Sequence, residues 1–268
     1  MKYTAELDRE LHAKHNPEGS MLRNYQLRLL KLLKDFDALC RENGLRYWLS
    51  SGTLLGAVRH GGFIPWDDDI DVEMPWDDYV KLMKVFREDD DHILDTLQND
   101  FYSQSNFGKY KDKHSTIEEH GSGDTKHKYK GAYIDIFPMD KAPWLACRFY
   151  KQPLIWTGHL AKHTDSKAGI LLAKCLRAWL LNVIDFKRKL YVHLPWSKTR
   201  YTIGCIFWEN VWKDGTFDRL RQIKFEDGMF PAPEDTDHYL TVMFGDYMDV
   251  PENVGDTLQH LESFRLDD

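Results

Sequence analysis

The chain is poor in cysteine: Cys40, Cys147, Cys175 and Cys205 are spread through 268 residues. No C-x-x-C pair occurs, which excludes a zinc ribbon and a thioredoxin-type redox motif. At this length so low a density also argues against a disulfide framework. The opening residues, MKYTAELDRE, lack the apolar core of a secretory signal. The long apolar stretch GILLAKCLRAWLLNVI is interrupted by Lys174 and Arg177, which makes it a poor transmembrane span. Internal repeats and low-complexity linkers are absent. So is an excess of positive charge: 36 Lys and Arg stand against 43 Asp and Glu, a net charge of −7. That balance excludes a general nucleic-acid binder. These absences predict a cytoplasmic protein with no nucleic-acid partner. What is present is apolar material, 42% of residues. It is enough to bury the core of one large domain or of a domain carrying a sizeable insertion.

Charge is unevenly placed. Residues 141–200 hold twelve Lys or Arg against two acids, Asp165 and Asp185, for a net of +10, while the rest of the chain carries −17. Such asymmetry points to the partner the segment meets. Elsewhere local patterns place the elements. Leu22, Tyr25, Leu29, Leu32, Leu33, Phe36 and Leu39 recur at three and four residues, a helix that Gly44 is suited to end in the left-handed conformation. LRYWLS reads as a short strand, and SSGTLLGAVRH as a turn into a helix with Ser50 or Ser51 at its N-cap. DIDVEM alternates as a strand, and Pro75 opens a helix with Asp77 and Asp78 at its positive end. Residues 109–131 read as strand then loop. AYIDIFPMD reads as a strand stopped by Pro138, and the basic segment as largely helical and rich in Trp.

The stretch SSGTLLGAVRHGGFIPWDDDIDVEM places Asp67, Asp68, Asp69 and Asp71 beside an Ile-x-Val alternation. Like charges at that density repel unless a cation sits among them or water surrounds them. In a strand, residues two apart share a face at about 6.5–7 Å. Asp69 and Asp71 then face together while Ile70 and Val72 face the core, and Asp67 joins them if the strand reaches that far back. Two carboxylates so fixed suit a hard cation such as Mg²⁺ or Mn²⁺. Asp135, flanked by Ile134 and Ile136, is a third acid on an apolar strand, where an unpaired charge would be costly. Ser51, Gly52 and Thr53 begin a helix whose outward N–H groups suit a phosphate. Arg59 and Lys109 are candidate phosphate clamps. Plainer readings stand beside these: a solvated aspartate turn, a surface charge for Arg59, a solvated strand end for Lys109. Trp48, Trp66 and Trp76 could cage a choline headgroup, though tryptophans so embedded are more often core. His159 and His163, one helical turn apart among lysines, read as structural or solvated.

The residues YWLSSGTLLGAVRHGGFIPWDDDIDVEM closely resemble the signature of the LicD family, which is related to fukutin and the fukutin-related protein. FGKYKDKHST, YIDIFPMD and FEDGMFPAP with YLTVMFGDYM extend the resemblance over residues 25–250, the basic segment matching least. The resemblance implies an α/β (α+β) fold, a nucleotidyltransferase-like mixed sheet flanked by helices with a helical basic insert. Its organisation would be a catalytic core at 1–140, a basic, Trp-rich helical insert at 141–215, and a C-terminal part at 216–268 completing the core. It implies transfer of a phospho-alcohol from a CDP-alcohol, CDP-choline or CDP-ribitol in relatives, to a hydroxyl of a cell-surface glycan or its lipid-linked precursor. Carried over by position, Asp67, Asp69 and Asp71 form the acid motif that holds Mg²⁺ or Mn²⁺. Asp135 is the third acid, Gly52 and Thr53 fall at the phosphate turn, and Lys109 is the family lysine of K-x-x-x-K-x-[ST]. Ser115 stands where threonine is usual and His114 where asparagine is expected.

Two other readings compete. Nucleotidyl transfer would attack the phosphorus nearer the nucleoside and release pyrophosphate instead of CMP. A non-catalytic, metal-dependent glycan-binding protein would turn nothing over, but binding alone does not need three converging carboxylates. For residues 141–200 the sequence predicts either a helical subdomain or peripheral contact with the anionic inner membrane face.

Overall fold

The computed structural model of the chain describes residues 1–96, 107–120, 129–141, 156–157, 159–160, 163–164, 166–192, 199–202, 212–213, 215–251 and 260–267. It begins with two helices, α1 (Ala5–His15) and α2 (Met21–Asn43). Ser20 caps α2 by accepting from the Arg23 N–H, and Gly44 closes it at φ 59°, ψ 42°, the left-handed cap the sequence predicts. The apolar stripe of α2 (Leu29, Leu33, Phe36) is wholly buried. α1 has no strong apolar period. Thr4 caps it, and Leu11 is its buried residue.

A mixed sheet follows, built from β1 (Trp48–Leu49), β2 (Asp71–Pro75), β3 (His92–Asp95), β4 (Gly108–Asp112) and β6 (Tyr133–Lys141) in the order β1-β2-β6-β4-β3. β2 and β6 run parallel; β4 lies antiparallel to β6 and to β3. Helix α3 (Ser51–Arg59) joins β1 to β2, and α4 (Trp76–Val85) follows β2. The sheet confirms the α/β expectation. Val72, Ile134 and Ile136 are completely buried, as the alternating pattern requires. The region read as strand then loop holds a second strand, β5 (Ser115–Glu119).

Two local expectations change. DIDVEM enters the ladder only at Asp71, so Asp67 and Asp69 lie in the preceding loop and owe their position to turns, not to strand parity. β6 does not stop at Pro138 but runs on to Lys141. The Asp135 N–H points to β2, donating to the Ile70 carbonyl at 2.9 Å. Pro138, of opposite parity, therefore turns its nitrogen to the other edge. There the β4 pairing has ended at Ile136, and β7 (Thr199–Thr202) does not begin to pair until Met139. The missing donor falls in that gap, where a proline is tolerated.

Helix α5 (Lys167–Val192) separates β6 from β7, which pairs with β8 (Trp212–Lys213). The remaining chain returns to the core. β9 (Leu220–Phe225) and β10 (Gly228–Pro233) form a hairpin whose Phe225 and Phe230 are buried. α6 (Thr236–Phe244) brings in Tyr239, and β11 (Leu261–Leu266) pairs with β5.

Close backbone approach fixes α3. A Cβ on Gly56 would lie 2.4 Å from the Gly62 carbonyl oxygen and 3.1 Å from the Ile64 nitrogen, both main-chain atoms that cannot rotate away. Gly56→Ala is expected to cost about 2–3 kcal/mol, the size of an overpacking penalty. Its thermal midpoint should fall by roughly 5–10 °C in a calorimetric scan.

Candidate active site

The parallel pairing of β2 with β6 sets Asp71 directly beside Asp135. On the next strand Lys109 stands opposite Asp135. The three residues make a row across adjacent strands, about 4.8 Å apart from strand to strand. Lys109 Nζ is 2.9 Å from Asp135 Oδ1 and 3.3 Å from the centre of the Tyr133 ring. The lysine is thus an acid-bound, aromatic-backed cation and not a solvated strand end. Its neighbour on the same face, Lys111, is taken by Asp95 at 2.7 Å.

Asp67 and Asp69 approach this row from the loop. The Asp67 N–H donates to the Ile64 carbonyl, closing a turn at Pro65, and Gln26 Nε2 donates to the Asp67 carbonyl at 2.8 Å. The charge of Asp69 adds to the burial that raises Asp67. Asp68 faces elsewhere: its Oδ2 accepts from the N–H groups of His260 and Leu261, both at 2.6 Å, fastening the start of β11.

Crowding shows in the acidities. Burial raises Asp67 and Asp71 well above the ordinary carboxylate range, and the surrounding carboxylates raise them further. Asp69 is pushed up to about 6, by burial first and then by the charge of Asp135. Asp135 is raised by burial, against the opposing pull of Lys109. Four acids therefore crowd one region, and Lys109 is hydrogen-bonded to one of them, Asp135. Their donors are carboxylate oxygens, without imidazole or thiolate. That set fits a hard divalent cation such as Mg²⁺ or Mn²⁺ and does not fit a zinc site.

The N-terminus of α3 borders the acids. Ser51 holds a left-handed φ of 47°, uncommon for a residue with a Cβ. The hydroxyls of Ser50 and Ser51 are both buried without a hydrogen-bond partner. Such orphaned groups are what a bound polar ligand would satisfy. A Cβ on Gly52 would come within 2.8 Å of Asp67 Oδ2, so glycine keeps the space between helix end and acid open. Thr53 Oγ1 accepts from the Asp71 N–H at 2.8 Å and fixes the first residue of β2. Ser51, Gly52, Thr53, Lys109 and the four aspartates thus come together.

Arg59 does not join them as a clamp. It is buried; its Nη1 donates to the carbonyls of Tyr247 and Asp249, and its Nε to His60 Nε2. That bond leaves His60 Nδ1 to donate to Asp8, and burial pushes the imidazole down to about 4. His12 completes a group with Asp8 and His60 whose ligand atoms lie within 4.8 Å of one another. With both His60 nitrogens hydrogen-bonded, this group ties α1 to the end of α3. His114 is exposed, its Nε2 2.8 Å from Asp91, and Ser115 is structural. The Ser115 hydroxyl donates to Asp112 and accepts from the Ala132 N–H, and Asp112 also takes a bidentate bond from Arg28. Trp48 is completely buried and stacked on Phe217, and Trp66 is buried. These two are core, not a cage. Trp76 rests tilted on Tyr79. His159 and His163 are exposed.

Sequence reasoning passed over Glu73 and Tyr239. Glu73 is completely buried and accepts from Trp48 Nε1 at 2.7 Å and the Tyr239 hydroxyl at 2.9 Å; burial raises it to about 7. The same tyrosine oxygen accepts from the Ser51 N–H at 3.3 Å. The chain Trp48–Glu73–Tyr239–Ser51 supports the start of α3 from behind. Glu73 shares the strand parity of Asp71, a signal the sequence offers. Tyr239 has no local signal at all.

The chain is similar to known proteins. Residues 44–167 match the profile of the LicD/FKTN/FKRP nucleotidyltransferase domain. The chain is 29% identical over 269 residues to the lipopolysaccharide cholinephosphotransferase LicD of Haemophilus influenzae, covering 90% of this chain and 96% of that protein. It is 36% identical over 75 residues to the human ribitol 5-phosphate transferase FKRP, 24% of this chain and 15% of the relative. It is 27% identical over 178 residues to the mouse ribitol-5-phosphate transferase FKTN, 66% of this chain and 32% of the relative.

Proposed function

We propose that this chain, which carries a LicD-family nucleotidyltransferase domain, transfers a phospho-alcohol from a CDP-alcohol to a hydroxyl of a cell-surface glycan or its lipid-linked precursor. Relatives named for cholinephosphate and ribitol 5-phosphate transfer support phosphocholine or ribitol phosphate as the group moved. The observation that carries the reading is the β2–β6 register. It places Asp71 beside Asp135, with Lys109 on the next strand, and the unpartnered hydroxyls of Ser50 and Ser51 stand at the start of α3.

Asp69, Asp71 and Asp135, with Asp67, would hold Mg²⁺ or Mn²⁺, which when bound supplies the charge neutralisation a diphosphate needs among carboxylates. The chain's own groups do the rest. The N–H group of Gly52 and the unpartnered hydroxyls of Ser50 and Ser51 are disposed to meet phosphate oxygens. Lys109, held through one hydrogen bond to Asp135, is a positive charge for the distal phosphoryl group. The acceptor oxygen bonds to the phosphorus distal to the nucleoside, the bond to the bridging oxygen breaks, and CMP leaves. The hydroxyl proton must go to a base; Asp135, raised by burial, is chemically able to take it.

Incubation with a panel of CDP-alcohols, Mg²⁺ and glycan acceptors, followed by mass spectrometry, tests the reading. CMP should form together with an acceptor heavier by the phospho-alcohol. An acceptor carrying CMP instead would mean attack at the nucleoside-proximal phosphorus. Binding without turnover of any CDP-alcohol would favour the glycan-binding alternative.

A further inference from the structure

Among the described residues, helix α5 keeps a large apolar surface exposed. Ala173 and Arg177 on one side are buried. One residue away around the helix, about 100° on, lies a second apolar sector. Leu172, Leu176, Trp179, Phe186 and Leu190 recur at intervals of four, three, seven and four, the spacing of a single helical face. All five are exposed, Trp179 by 62% and Phe186 by 69%. A surface helix needs one apolar face; a second that includes two large aromatics marks a contact.

We infer that this outer face of α5 docks on an anionic phospholipid surface, with the helix lying along the membrane plane. Charge selects this occupant. Lys167, Lys174, Lys187 and Lys189 stand on the same helix, within a segment (141–200) of net +10 in a chain of net −7. A second copy would set +10 against +10 across the interface, which like-charge repulsion disfavours. Anionic headgroups complement that charge, and Trp179 and Phe186 are suited to headgroup depth. The 26 residues of α5 extend about 39 Å, a long interfacial footprint. Among the described residues no helix is long and apolar enough to cross a membrane, so the contact is peripheral. The inference does not rest on the phosphotransfer reading. If both hold, the site would work beside a membrane-held acceptor.

Co-sedimentation of the full chain with phosphatidylcholine vesicles, with and without phosphatidylglycerol, tests it at low and high salt. The protein should pellet with the anionic vesicles at low salt. It should be released at 1 M salt, where the Debye length shrinks to about 3 Å. Trp179→Glu with Phe186→Glu should weaken binding roughly tenfold or more, and Lys187→Glu, whose lysine flanks that face, should weaken it by a smaller factor. Circular dichroism should be unchanged in each, since these side chains lie outside the core. Turnover of a soluble acceptor should also be unchanged, which separates this test from that of the reaction. Wild-type protein that stays in the supernatant with anionic vesicles would overturn the inference. So would variants that bind like wild type. Sedimentation velocity showing a dimer that the Trp179→Glu and Phe186→Glu pair dissolves, without vesicle binding, would assign the face to a second copy.

Discussion

Asp69→Asn and Asp71→Asn should each abolish turnover and, without metal, make the protein more stable. Loss of a carboxylate from the constellation removes several kcal/mol of support for the transferring phosphoryl group. At 1.36 kcal/mol per decade that is a fall in rate of about a thousandfold or more. The stability gain follows from linkage. Asp69 is raised from 3.8 to about 6, chiefly by burial and then by Asp135. The unfolded chain releases this proton near its ordinary value, while the folded chain holds it to about 6. Its contribution to stability is therefore complete at low pH and is lost as pH rises through that window. A shift of about two units corresponds at most to about 3 kcal/mol, and solvent at a partly exposed residue reduces it, so a gain of about 1–3 kcal/mol is expected. Asparagine cannot ionise and escapes the penalty. Denaturant unfolding in EDTA should show Asp69→Asn more stable than wild type at about pH 7.5, the difference closing near pH 4, and Asp71→Asn shifted in the same direction. Wild-type turnover by either variant in saturating Mg²⁺ would contradict the assignment. A variant destabilised at neutral pH would show that the carboxylate serves the fold.

Asp135→Asn should be as inactive, whether the lost group is a ligand, a base or both, again by about a thousandfold. Its effect on the fold should differ. Asp135 is the carboxylate that pairs with Lys109, at 2.9 Å between two largely covered side chains. Removing one partner of a covered pair leaves the other uncompensated. The lysine keeps the Tyr133 ring and neighbouring carboxylates, so a stability change within about 1 kcal/mol of wild type is expected, not the gain of Asp69→Asn. Lys109→Met supplies the complement. Asp135 should then join the crowded acids, with its proton held more tightly and donor binding weakened. Comparison of kcat and KM across the two variants checks this. An Asp135→Asn enzyme with unchanged kcat would reduce Asp135 to a strand acid.

Much of this site can be read from the sequence because its signals are local. The 3.6-residue stripe of α2, its Gly44 cap and the alternation of Ile70 and Val72 with Asp71 depend on neighbours a few positions away. The same alternation exposes Asp135 as an acid on an apolar strand. What escapes depends on distant partners. That Asp71 and Asp135 lie side by side is a matter of register between strands 64 residues apart. Tyr239 reaches Glu73 across 166 residues. Arg59 looks like a phosphate clamp in the motif, yet it is engaged by carbonyls 188 and 190 residues away. Pro138 reads as a strand end, because its own chemistry forbids a donor and nothing nearby reveals the gap between β4 and β7. The second apolar face of α5 was foreshadowed by composition, but which residues lie outside depends on which side the fold covers.

Calorimetric titration of Mg²⁺ into the protein with CMP bound tests the convergence of the four aspartates most directly. Wild type should bind the cation, and Asp71→Asn and Asp135→Asn should each weaken binding at least about tenfold. Gly56→Ala, where it remains folded, should bind as wild type does. Equal Mg²⁺ affinity in wild type and both aspartate variants would mean that the carboxylates do not form a metal site, and the phosphotransfer reading would lose its chemical basis.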